Sequence, residues 1–246
     1  AQESRGLGDV YKRQAKYELK KLFPDAPVTD LFSTPKPSLL IKYLLQIGSK
    51  TDSLVMDFFS GSGTTGDAVM QLNAEDNGNR KFILVQVSEI CEGNKTFATI
   101  CDMGKERIRR AGAKIKEEAG LTAQNLDVGF RVLKCDTSNM KDVYYSPADF
   151  DMNLLDLIAD NIKEDRTPED LLFQVMLDLG VELSSKIEET TIGGKKVFDV
   201  ADGFLIACFD KDVNDETIKA IAQKQPYYFV MRLSLIHISE PTRLLS

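Results

Sequence analysis

Asp57 lies near the end of the run Leu54–Phe58, apolar but for this residue, and stands four residues ahead of Gly61, the first glycine of Gly61-Ser62-Gly63-Thr64-Thr65-Gly66. Such a strand, delivering an acid into a glycine-rich turn that opens a helix, is the cradle of a nucleotide-type cofactor. Glycine lets the backbone turn sharply and lets a ligand approach the main chain. A helix beginning near Thr64 presents its free N–H groups at the same place. The glycine spacing alone fits the dinucleotide fingerprint and is not specific. The acid narrows it. A nicotinamide loop faces a doubly charged pyrophosphate, which a carboxylate four residues ahead would repel. S-adenosylmethionine carries an ammonium, a sulfonium and a purine but no phosphate, so Asp57, with Phe58 beside it, suits that ligand.

The elements that must hold this turn are legible around it. Residues 54–58 read as a buried strand, 64–72 as the helix that follows, Asn77-Gly78-Asn79 as a turn and 82–87 as a second apolar strand. Strand, helix, strand with a right-handed crossover predicts a parallel sheet and α/β architecture. Ile100, Met103, Ile108, Ala111 and Ile115 recur at helical spacing, so a long helix is expected over 100–119 with Gly120 as its stop. Its other face carries Lys105, Arg109, Lys114 and Lys116, which read as a solvated surface rather than a phosphate contact. Beyond it, 130–135 is expected as an edge or returning strand and 149–162 as an acidic helix. Thr167-Pro168-Glu169-Asp170 starts a helix running to Leu179. Residues 187–192 and 196–200 flank Gly193-Gly194 as a hairpin. A strand at 204–209, a helix near 215–224 and a strand at 227–231 complete a second, smaller α/β module.

Upstream of the glycine turn lies Phe32-Ser33-Thr34-Pro35-Lys36-Pro37, followed by Leu39, Leu40, Tyr43, Leu44 and Ile47 at helical spacing. The pair F-x-T-P-K-P then D-x-F-x-G-S-G-T-T resembles motifs X and I of the amino-methylating DNA methyltransferases of permuted motif order, the beta class. Within that class, Asn79–Gln86, Gly104–Gly112 and Gly129–Lys134 are similar to the modification subunit of type III restriction-modification systems.

The resemblance implies a partial Rossmann-like methyltransferase sheet over residues 15–120, with the 130–135 strand, and a C-terminal module over 136–232. It implies that Asp57 accepts from the methionine ammonium of S-adenosylmethionine, although a helix cap would also explain this residue. Phe58 would touch the cofactor, and Gly61, Ser62, Gly63, Thr64 and Thr65 would form the loop. Thr34 and Lys36 would meet the cofactor's carboxylate, unless the segment is a plain linker. Gln86, with Glu89 close behind, would take the ribose hydroxyls that many relatives give to an acid. The activity implied is methyl transfer to the N6 of an adenine flipped out of double-stranded DNA. Partners would be DNA, a restriction subunit and a second copy, in the cytoplasm. No Asp-Pro-Pro or Asn-Pro-Pro occurs in the chain, so the catalytic D/N-P-P-Y motif is expected upstream, in the permuted order, and no catalytic residue is assigned here. Two other readings stay open: a nicotinamide-dependent Rossmann oxidoreductase, and for 121–232 a non-catalytic docking module.

The ends have a different origin. Residues 233–243 back-translate to a DNA segment whose reverse complement encodes residues 4–14. One adapter read in opposite orientations explains both, so 1–14 and 233–246 are expected to be tails outside the fold. The single histidine, His237, lies in the second, which excludes a zinc-histidine site from the rest. The formal charge is −7; Arg5, Lys12 and Arg13 against Glu3 and Asp9 make the first flank +1, Arg243 cancels Glu240, and the remainder is −8. An acidic segment is a poor main DNA-binding surface. Cys91, Cys101, Cys135 and Cys208 show no C-x-x-C spacing and are expected as reduced, mostly buried thiols, with no metal. No apolar run approaches the roughly 18 residues of a membrane span.

Overall fold

Alternation of apolar residues decides which side of each strand meets the helices. In the computed structural model, which describes residues 7–120, 126–141 and 161–232, the chain divides into two units, Ala1–Phe130 and Arg131–Ser246. The first contains α1 (Leu7–Leu22), α2 (Ser38–Gly48), β1 (Leu54–Asp57), α3 (Thr64–Asp76), β2 (Lys81–Leu84) and α4 (Ile100–Ala119). β1 and β2 pair in parallel, with Asp57 opposite Leu84. Val55 and Phe82 pack with Leu45, Ala68, Val69 and Leu72 of α2 and α3. Leu84 packs with Met70, Ile108, Ala111 and Ile115 where α3 meets α4. A third cluster joins Leu19 and Phe23 to Phe97 and Met103.

Among the described residues the strand pair is covered on this face alone. Leu54 and Met56 are 62% and 60% exposed, and Ile83 and Val85 on the same side are also open. The expectation of a fully buried β1 is therefore corrected: with two strands and one helical layer, every second side chain faces solvent. β2 is also shorter than the expected 82–87, although the amide of Val85 still donates to the carbonyl of Asp57.

Helix limits follow local chemistry. Asn77 adopts a left-handed conformation after α3. Thr99 and Asp102 form a reciprocal capping box at the start of α4, and Gly120 ends it. Residues 7–14, expected as part of a tail, are helical from Leu7 on. Propagating a formed helix costs little for Lys, Arg and Gln. Side chains 11–14 are exposed, and Ala15 is fully buried.

The second unit contains α5 (Pro168–Asp178), β3 (Ile187–Ile192), β4 (Lys195–Val200), β5 (Leu205–Cys208), α6 (Asp215–Gln223) and β6 (Tyr228–Met231). The sheet order is β3-β4-β5-β6. The first two pairings are antiparallel, and β5 and β6 are parallel across α6. Phe198, Val200, Leu205 and Ala207 pack on Leu172 and Met176 of α5. Val197, Ile206 and Cys208 pack on Ile221 of α6. β5, buried at every residue, is the centre of this three-layer unit.

Residues 130–135, expected as a strand, form no ladder among the described residues. Phe130 packs with the α3–α4 cluster, whereas the Arg131 guanidinium donates to the carbonyls of Leu183 and Ser185. The chain changes unit between these two residues, so neither neighbour extends a sheet through the segment. The helix expected at 149–162 and the C-terminal tail fall almost wholly outside the described residues. The thiols are not mostly buried: Cys208 is, Cys91 and Cys101 are half-buried and Cys135 is exposed. Burial pushes the Cys208 thiol up. Among the described residues no helix is long and apolar enough to cross a membrane, and no group of three or more His, Cys, Asp or Glu is placed to hold a metal.

Candidate cofactor site

The C-terminal end of β1 brings Asp57 to the mouth of the glycine turn. Its Oδ2 accepts from the Thr65 hydroxyl at 2.5 Å, and its Oδ1 accepts from the Phe59 amide at 3.1 Å. The carboxylate thus ties the strand to the first turn of α3 while keeping free lone pairs, since two oxygens offer about four acceptor positions. The Gly61 amide donates to Gln86 Oε1 at 2.7 Å, across from the extension of β2. The Ser60 amide donates to the carbonyl of Val85. These bonds set the width of the turn.

Gly63 holds the turn against the fold. Its φ of +77° favours glycine, and a Cβ there would lie 3.1 Å from the carbonyl oxygen of Gly104 in α4. The Phe32 ring comes close to Gly61, at 3.4 Å from where a Cβ would stand. The F-x-T-P-K-P segment and the glycine turn are therefore neighbours in space. Phe32 is also tied to α4, its amide donating to Met103 Sδ at 3.2 Å.

Asp57, Gly61, Gly63, Thr65 and Gln86 converge on the turn through these bonds and packing contacts. Phe58 leaves β1 beside them, 62% exposed, with its ring 5.3 Å from that of Phe59. Thr34, Lys36 and Glu89 are exposed, and no contact joins their side chains to Asp57 or the glycines. Ser62 and Thr64 take a different direction from that of ligand-facing hydroxyls. They are 2% and 5% exposed and accept from the Arg107 guanidinium at 3.1 and 2.7 Å. What they offer a ligand is main chain. Gln86 is likewise engaged: its oxygen holds Gly61 and its amide nitrogen donates to the carbonyl of Val87.

Asp67, Gly104 and Arg107 belong to the construction of the turn and were not legible beforehand. A signal was present. Arg107 falls on the apolar stripe of α4 between Met103 and Ala111, where a charged residue has no reason to sit unless something meets it.

The groups gathered here fit S-adenosylmethionine: a carboxylate with spare acceptors, a glycine turn with room for close main-chain approach, and an exposed aromatic residue. The DNA methylase family pattern matches residues 1–114. The StyLTI Mod subunit of a type III restriction-modification enzyme from Salmonella typhimurium strain LT2 is 40% identical over 124 residues, 48% of this chain and 18% of that protein. The EcoPI Mod subunit of Escherichia phage P1 is 41% identical over 108 residues, 42% of this chain and 16% of that protein. The EcoP15I Mod subunit of Escherichia coli is 33% identical over 227 residues, 86% of this chain and 31% of that protein. The chain spans less than a third of the length of each of these relatives. Paired motifs, the turn they build and these similarities agree: residues 1–114 match the DNA methylase family, in a chain similar to the modification subunits of type III restriction-modification enzymes.

Proposed function

We propose that this chain supplies the S-adenosylmethionine-binding half of a DNA adenine-N6 methyltransferase, the modification subunit of a type III system. The observation that carries the reading is Asp57, fixed at the end of β1 by Thr65 and Phe59 with acceptor capacity left over. That carboxylate would receive the methionine ammonium, the amides around Gly61 and Gly63 would line the cofactor's path, and Phe58 would cover its base. The cofactor supplies an activated methyl group. The chain's own residues bind and orient it. Thr34 and Lys36, in the segment that passes the turn at Phe32, would reach the methionine carboxylate, and Gln86 and Glu89 the ribose edge.

The catalytic motif and target recognition would come from the remainder of the parent protein, which also carries most of the contact with double-stranded DNA. The sheet of the first unit would then be part of a Rossmann-like sheet. The second unit, α5 to β6, would dock a restriction subunit or a second copy.

The test is Asp57→Asn in the full-length protein. The amide oxygen can still accept from Thr65, so the start of α3 is kept while the charge is lost. Loss of a charge-assisted bond of about 1.5–3 kcal/mol weakens S-adenosylmethionine binding by about tenfold or more in titration calorimetry. A folded variant with unchanged affinity would sink the assignment.

A further inference from the structure

The buried face of α4 carries a cation that cofactor binding, as described above, does not use. Arg107 is 1% exposed. Its Nε and one terminal nitrogen donate to Asp67 Oδ2 at 3.2 and 3.1 Å. The other terminal nitrogen donates to Ser62 Oγ at 3.1 Å and Thr64 Oγ1 at 2.7 Å. Asp67 is met on its second oxygen by Gln71 Nε2 at 2.7 Å, and it lies in the first turn of α3, where a negative charge also suits the helix end.

One turn earlier on the same helix, Gly104 lies 3.3 Å, measured from where its Cβ would be, from the carbonyl oxygen of Gly61. On the other side of Arg107, the Ile108 side chain lies 3.4 and 3.3 Å from where Cβ atoms would stand at Gly63 and Gly66. One face of α4 therefore backs the whole glycine turn.

Burying a guanidinium is costly unless its N–H groups are met. An apolar residue would suit position 107, between Met103 and Ala111, on packing grounds alone. What a charged fork adds is geometry: rigid, planar donors that reach three acceptors at once. Ser62 and Thr64, the two it holds, bracket Gly63. Fixing both hydroxyls fixes the left-handed residue between them, and with it the direction of the amides on the opposite side of the turn.

We propose that Arg107 is the positioning residue of the cofactor turn: it does not touch S-adenosylmethionine, but it shapes the turn from behind, so affinity for the cofactor depends on it. This rests on the reading of residues 57–65 as the cofactor site.

The experiment uses the full-length protein and two variants. Arg107→Lys keeps a positive charge beside Asp67, but a single ammonium cannot span the three acceptors. Arg107→Leu with Asp67→Leu removes the ion pair as a unit and leaves no orphaned charge. For folded variants, judged by cooperative melting, the Kd for S-adenosylmethionine rises about tenfold or more in calorimetry, the equivalent of one or two lost hydrogen bonds. The KM for S-adenosylmethionine rises in parallel, while kcat for methyl transfer at saturating cofactor stays within about twofold, because the reacting groups are untouched. Lys114→Ala, which removes an exposed cation from the same helix, leaves the Kd unchanged. Wild-type affinity in either folded Arg107 variant overturns the proposal. So does a fall in kcat with no change in KM. Should both variants fail to fold, Ser62→Ala with Thr64→Val removes the brace from its other end and keeps the ion pair; an unchanged Kd there overturns it equally. A wild-type protein that binds no S-adenosylmethionine would instead refute the cofactor site itself.

Discussion

Asp30 joins segments more than sixty positions apart with one carboxylate. Its Oδ2 accepts from the Lys95 and Thr96 amides at 3.2 and 3.1 Å and from the Thr96 hydroxyl at 2.8 Å. The Thr29 hydroxyl donates to Oδ1. These donors, the Thr96 hydroxyl foremost, hold its carboxyl below the usual range. A folded-state pKa below the unfolded value of about 3.9 means that the stabilisation is complete above that value and disappears as pH falls through the lower folded one. Asp30→Asn is therefore expected to lower the urea midpoint near neutral pH, and the gap to wild type to close in acid. A gap of constant size from pH 6 to pH 2 would contradict this. Asp25, paired with Arg110 and held at about 2, would lose its contribution as pH falls through that value. The links to Lys95, Thr96 and Arg110 were not legible in the sequence, because those partners are remote along the chain. The placement of Asp57 at a strand end and of Gly61–Thr65 in the turn that opens a helix was legible, because it is local to one strand and one turn. Arg107 was not, since its partners lie some forty positions away in α3 and the turn before it.

Capping chemistry shows the same division at the scale of an element. Thr167-Pro168-Glu169-Asp170 announces the start of α5, and the structure places the Thr167 hydroxyl and the Asp170 carboxylate in reciprocal bonds to each other's amides. Thr167→Ala removes one half of that box and is expected to cost about 1 kcal/mol, read from the urea midpoint of the second unit. A change within experimental error would show that the rest of the first turn compensates. The hairpin at Gly193-Gly194, the stop at Gly120 and the long stripe of α4 were equally readable. The run 130–135 was not: its β-branched and aromatic residues match a strand, but pairing needs a neighbouring edge, and propensity does not reveal whether one exists. β1 illustrates a related point. An apolar run shows that a strand wants cover on both faces, not that both faces receive it.

At the scale of the whole chain, the α/β texture and the change of character after Gly120 were visible in composition and periodicity, while the point where one unit gives way to the next, between Phe130 and Arg131, depended on which side chains each residue met. The uncovered side of the β1–β2 pair has a consequence for how the isolated chain behaves in bulk. Leu54, Met56, Ile83 and Val85 form an apolar strip on a parallel pair, an architecture that is ordinarily covered on both faces, and Leu40, Tyr43, Leu44 and Ile47 leave a second apolar face on α2. Such surfaces attract one another, and the net charge of −7 opposes that attraction only at a distance that salt shortens. The osmotic second virial coefficient, from static light scattering, is therefore expected to turn negative as sulfate is added, because excluded salts strengthen apolar burial. It should fall again as pH approaches the isoelectric value of about 5.0, where the repulsion vanishes. Leu54→Thr with Met56→Thr should raise it under both conditions, and a coefficient indifferent to that pair would place the stickiness elsewhere. On this view the solubility limit of the chain is set less by its acidity than by four side chains on one side of two short strands.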